Sequence, residues 1–179
     1  MEAAIARYRA GVRPWAQLKL AQALLGEALR RYREKAQGPL IELASEYFNA
    51  MTGGRFAGLW VDDDSGSPVL KAKPAQGTPV AVDALSEGTA DQLYLALRLA
   101  ALQVQRQADR MMPLVLDDVF ITSDDERAAY VFQALEKFAA QGQVMVFTHH
   151  QHLVDIAART VQSGALRFHQ LPKAFERSQ

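Results

Sequence analysis

Two short apolar runs, each stopping abruptly at polar and chemically capable side chains, constrain this chain most. Leu114-Val115-Leu116 runs into Asp117-Asp118, and Val144-Met145-Val146-Phe147 runs into Thr148-His149-His150. Apolar runs of this length without alternation read as strands covered on both faces, the condition of a parallel sheet. Residues 88–107, 124–140 and 151–162 carry helical periodicity around them, and residues 80–85 and 166–170 read as further short strands. The expected fold class is therefore α/β, a mainly parallel sheet flanked by helices. In such a sheet ligands bind beyond the carboxyl ends of the strands, where Asp117, Asp118, Thr148, His149 and His150 all fall.

The N-terminal fifth has a different pattern. Trp15, Leu18, Gln22, Leu25, Leu29, Tyr32 and Ala36 alternate spacings of three and four, a heptad seam with one polar position. Ile5, Tyr8, Val12 and Trp15 form a similar seam whose phase slips near Pro14, where a helix should break or restart. Residues 1–37 thus read as a helical coiled-coil stub, and 38–179 as the body. Gly38-Pro39 is expected to separate the stub from a second helix at 40–51, which Gly53-Gly54 closes. Residues 56–61 and 69–72 read as a β-hairpin around the acidic turn 62–68. That turn lacks the ligand spacing and closing Glu of a calcium loop, so it is read as a solvated turn.

Composition narrows the class. The 179 residues are 49% hydrophobic, enough for a core, and their 20 basic and 20 acidic side chains cancel. Within 1–37, eight Lys/Arg face three Glu, a basic excess that a solvated helix face explains as well as a polyanion does. Cysteine is absent, which excludes disulfides and thiolate metal sites. No apolar run approaches the roughly 18 residues of a membrane span, and no secretory leader pattern opens the chain. A soluble cytoplasmic protein is expected.

Three groups of residues carry chemistry. A carboxylate at the end of a buried strand can hold Mg²⁺, and a second beside it can orient or deprotonate water. Asp117 and Asp118 fit those roles, against the alternative that one merely caps a turn. Ser86 and Gly88 open a helix whose first N–H groups lack internal partners, a setting suited to phosphate and equally to an ordinary N-cap. Ser123-Asp124-Asp125-Glu126 reads as a capping box on the next helix.

Together these pieces resemble the C-terminal lobe of an ABC-type ATPase of the SMC-like, DNA-repair branch, and within it the YhaN-like ATPases. Residues 85–100, beginning Leu-Ser-Glu-Gly-Thr, are similar to the signature motif and its helix, and residues 114–118 to the Walker B strand. Thr122-Ser123-Asp124 stands where the family has its D-loop, and His149 where it has its switch histidine. The resemblance implies that Asp117 holds Mg²⁺, Asp118 activates the attacking water, and His149 contacts the γ-phosphate. It implies that Ser86 and Gly88 bind the γ-phosphate of ATP held by a second head, and that Asp124 joins the two sites of the dimer. DNA and a nuclease partner are further implied associates.

The sequence departs from the family in three ways. Asp118 stands where Glu is usual, and Glu87 and Thr89 replace the usual signature residues. No Gly-x-x-x-x-Gly-Lys-Ser/Thr phosphate cradle occurs in the 179 residues, so the resemblance assigns Walker A to a separate N-terminal segment. Without that segment the sheet is expected to expose apolar edge or face. Two alternatives stay open: a non-catalytic, nucleotide-gated dimerisation scaffold, and a metal-dependent phosphoesterase using Asp117, Asp118, His149, His150 and His152. The second is disfavoured on the expectation that adjacent His149 and His150 point to opposite sides of a strand.

Overall fold

The computed structural model describes residues 2–62, 68–105, 113–118, 124–162 and 164–171, with side chains in the first helix described at 14–28, 31–32 and from 38 onward. That first helix, α1 (Glu2–Met51), is continuous for 50 residues and runs through both Pro14 and Pro39. This corrects the two expected breaks. Proline's fixed φ is itself helical; what it removes is one hydrogen bond and some room at the carbonyl four residues back. At Pro39 that local loss, about 3 kcal/mol, is offset by the packing of the adjoining C-terminal turns; nothing in the structure explains the continuity at Pro14. Ala44, Tyr47, Phe48 and Met51, at spacings of three and four, are buried on one face.

The end of α1 is built as the glycine pair demands. Gly53 (φ 59°) and Gly54 (φ 79°) adopt the left-handed region. Gly54 N–H bonds to Asn49 C=O and Gly53 N–H to Ala50 C=O, the paired bonds of a Schellman motif. A Cβ on Gly53 would also lie 2.5 Å from Tyr130 Cε2. Gly53→Ala is expected to lower unfolding free energy by about 1–2 kcal/mol through the left-handed penalty and this crowding. Urea denaturation checks it; an unchanged midpoint would show that Tyr130 swings away and the backbone relaxes.

The hairpin forms as expected. Strands β1 (Phe56–Asp62) and β2 (Val69–Pro74) pair antiparallel, with the 63–67 turn outside the described residues. Residues 80–85 differ from expectation. Only β3 (Val80–Ala81) is strand, pairing antiparallel with β2, and residues 82–84 wind into a 3-10 turn. The hairpin therefore captures this strand through short-range pairing, and it does not join the parallel sheet. Ser45 locks the meander to α1: its hydroxyl donates to Ile41 C=O (2.7 Å) and accepts from Leu59 N–H (2.9 Å).

Helix α2 (Glu87–Val104) lies against α1 through a stripe of Thr89, Leu93, Ala96 and Ala100. Gln92, 2% exposed, donates from Nε2 to Met51 C=O (2.6 Å), tying the helix to the end of α1. Strands β4 (Leu114–Asp117) and β5 (Val144–Phe147) are parallel, with Asp117 paired to Phe147. Between them comes α3 (Asp125–Ala139) and after them α4 (Gln151–Thr160), which pack on each other. Among the described residues the parallel sheet holds only these two strands; residues 166–170 form no strand. The α/β class stands with a smaller parallel component than the sequence suggests.

One helix face and one sheet face lie open. Along α1, Trp15, Leu18, Leu25 and Tyr32 are all exposed, so the described part of the heptad seam has no cover among the described residues. Ile5, Tyr8, Val12, Leu29 and Ala36 of the seams lie outside the described side chains. On β4 burial alternates: Leu114 and Leu116 point into the core, while Val115 and Asp117 point away from it. With Phe147 also exposed, this is the expected uncovered apolar face. No helix among the described residues is long and apolar enough to cross a membrane.

Candidate functional site

The site sits at the carboxyl ends of β4 and β5 and follows from where each strand stops. Asp117 ends the β4 ladder on the exposed face. Asp118 takes the next step with φ 45°, the sole described non-glycine residue in the left-handed region. Aspartate tolerates that conformation better than most side chains, yet it still costs about 1–2 kcal/mol. Strain of this kind persists where surrounding structure fixes it and often marks a functional position. Asp118 N–H bonds to Phe147 C=O (3.1 Å), extending the parallel ladder by one step while its carboxylate swings to the β5 side.

There it meets an imidazole. His149 Nδ1 lies 3.0 Å from Asp118 Oδ2. With the carboxylate ionised, Nδ1–H is the donor, which leaves Nε2 as a lone-pair acceptor. The side chain of His149 is 72% exposed and that of Asp118 only 29%. Asp118 Oδ1 is shielded from water and has no hydrogen-bond partner among the described residues. A buried carboxylate oxygen left so is costly, and a cation or a donor from outside would remove the cost.

The strand ends before the histidines, which decides their orientation. Thr148 Oγ1 accepts from His150 N–H (3.2 Å), a side-chain turn that stops the strand and starts α4 with His150 at its N-cap. Alternation therefore does not apply. His149 and His150 do not point apart; their ring centroids are 3.8 Å apart, and His150 stands 5.4 Å from His152. Sequence reasoning set His150 aside for this reason. The signal that could have retained it is Thr148, a hydroxyl placed to close a turn.

The other expected site residues lie elsewhere. Ser86 is the N-cap of α2, but its hydroxyl pairs with Thr89 Oγ1 (2.9 Å) and caps no backbone N–H. Thr89 N–H and Ala90 N–H bond to Ser86 C=O (both 2.9 Å), which leaves the Glu87 and Gly88 amides as the ones a helix mouth would offer an anion, and Gly88 itself is buried in that first turn. No described contact joins Ser86 or Gly88 to the Asp118–His149 cluster. Asp124 is the N-cap of α3, accepting from Arg127 N–H at 2.8 Å and pairing with Arg127 Nε at 3.2 Å. This is a simple N-cap and not the expected capping box, since the third helical residue is Arg127; Thr122 and Ser123 lie outside the described residues. Asp124 also borders a shallow concavity of about 150 Å³ with Gly53, Arg55, Glu126 and Tyr130. Hydrogen bonding to Glu126 Oε1 (3.0 Å) holds the Tyr130 hydroxyl above the ordinary tyrosine pKa.

The ends of the two parallel strands thus bring an acid to an imidazole, with the mouth of α2 apart from them. Solved structures agree on the fold. The Pyrococcus yayanosii Smc head domain with coiled coil and joint superposes with a TM-score of 0.55 at 17% identity, covering 75% of this chain and 26% of that one. A structure described under ATP-driven dimerization and DNA stimulated activation of SMC ATPases gives 0.55 at 18% identity, covering 71% of this chain and 77% of its own. The Pyrococcus furiosus Smc head bound to the C-terminal domain of ScpA gives 0.52 at 17% identity, covering 79% and 37%. In sequence, the uncharacterized protein YhaN of Bacillus subtilis strain 168 is 31% identical over 150 residues. The chain is similar in sequence to a segment of YhaN and has the fold of an SMC head lobe. The aligned part covers 83% of this head lobe and 15% of YhaN's length. No protein-family model matches it.

Proposed function

We propose that this head lobe is the C-terminal half of an ATP-binding and ATP-hydrolysing SMC-like head, completed by a segment that carries the phosphate cradle. The observation that carries the reading is the 3.0 Å pairing of Asp118 with His149 across two parallel strand ends. Asp118 is the base: its carboxylate is fixed in place and close to an imidazole, so it can take a proton from water. His149 orients that base and, as an imidazolium carrying a proton on both nitrogens, donates Nε2–H to a terminal phosphate. Mg²⁺ suits an all-oxygen donor at the strand end, where Asp117 presents an exposed carboxylate. When bound, Mg²⁺ neutralises phosphate charge. Ser86 and Gly88 act in trans, placing the α2 mouth on the γ-phosphate of ATP held by a second head.

The implied partners are the Walker A segment, a second head bringing Ser86, Gly88 and Asp124 to the joint site, and DNA, in a cytoplasmic setting of repair or chromosome maintenance. The open seam on α1 is the natural seat of a returning antiparallel helix from the same polypeptide. Phosphate release by the co-expressed segment and lobe tests the reading. Turnover that appears only when both are present supports it. ATP-dependent pairing without phosphate release would favour the non-catalytic scaffold instead.

A further inference from the structure

We infer that Asp118, His149 and His150 form a binding site for a borderline transition-metal ion such as Zn²⁺, distinct in chemistry from the Mg²⁺ position at Asp117. One ligand atom from each of the three lies within 4.8 Å of the others. Two imidazole nitrogens and one carboxylate oxygen form a donor set that suits Zn²⁺ or Co²⁺ and not the all-oxygen preference of Mg²⁺. With bonds of about 2.0–2.2 Å, ligands of a tetrahedral ion stand roughly 3.3–3.5 Å apart. The Asp118–His149 edge, at 3.0 Å, is already near that spacing. The exposed His149 ring has the freedom to close the remainder, and His150 is stacked beside it. The ion binds Nδ1 of the other neutral tautomer, the ring proton moving through solvent to Nε2, and it neutralises the carboxylate whose buried Oδ1 has no partner among the described residues. The fourth position stays open to water.

Metal uptake requires no nucleotide and no second head, so it stands apart from the reading above. Its consequence for turnover rests on that reading: an ion held here occupies both the base and the imidazole, and hydrolysis stops.

Calorimetric titration of the 179-residue chain with ZnCl₂ tests the site, with CoCl₂ absorption reporting the geometry. One equivalent is expected, with a tetrahedral Co²⁺ band in the visible. His150→Ala and Asp118→Asn should each weaken binding at least tenfold, while His169→Ala, outside the cluster, should not. Neither test substitution removes a buried side chain or a backbone cap, and circular dichroism confirms folding. Sub-stoichiometric uptake by the unaltered chain, or wild-type affinity in both variants, overturns the site. In the completed head, micromolar Zn²⁺ should halt phosphate release, and His150→Ala should need at least tenfold more. A completed head that binds Zn²⁺ but never hydrolyses ATP would leave the site standing and remove the ATPase reading.

Discussion

Replacing Asp118 by asparagine in the completed head is expected to lower ATP turnover by about 10²–10⁴-fold, the usual worth of a positioned base. Asparagine keeps the shape and can still accept the His149 Nδ1–H bond, so the pair geometry at 3.0 Å survives. What it loses is the charge that takes the proton. ATP-dependent pairing of heads should persist, because the base acts after nucleotide is bound. A carboxylate one carbon shorter than the usual glutamate must reach further, and the φ of 45° at Asp118 is the backbone device that aims it. Phosphate release and size-exclusion chromatography on one preparation separate the two effects. Turnover within twofold of wild type would remove Asp118 from the role of base.

The second large effect is at the mouth of α2. Ser86→Arg should abolish ATP-driven pairing, weakening it by at least about a hundredfold, or roughly 2.7 kcal/mol. The lobe itself should hardly notice. Ser86 is exposed, and its hydroxyl reaches only Thr89, so no backbone cap is lost. An arginine there fills the space in front of the first α2 amides, where a phosphate from the opposing head would sit. Light scattering with and without ATP reads the outcome. Intact assembly in the variant would show that the α2 mouth does not contact nucleotide in trans.

Much of this was legible in the residues, for reasons that differ from element to element. The hairpin, β4, β5 and the glycine closure of α1 rest on local chemistry: apolar runs, a turn, and two residues that accept positive φ. The meeting of Asp118 with His149 followed from a rule of parallel sheets, that strand ends converge. Where expectation failed, a longer-range term won. Pro39 does not break α1, because burial of the adjoining last turns holds the helix together, and α1 also continues through Pro14. Residues 80–81 joined the nearer antiparallel hairpin, and residues 166–170 found no partner strand among the described residues. His150 was misjudged because strand alternation was carried past Thr148, where a hydroxyl-closed turn ends the strand. The uncovered seam of α1 and the exposed Val115 and Phe147 fit a lobe built to be covered by another segment.

That incompleteness has one direct test: the affinity for a fluorescent ATP analogue of the lobe alone, of the phosphate-cradle segment alone, and of the two co-purified. Tight binding is expected only for the pair, with the lobe alone at least a hundredfold weaker. Equal affinity of the lobe and the pair would contradict it, since the lobe would then hold the triphosphate by itself.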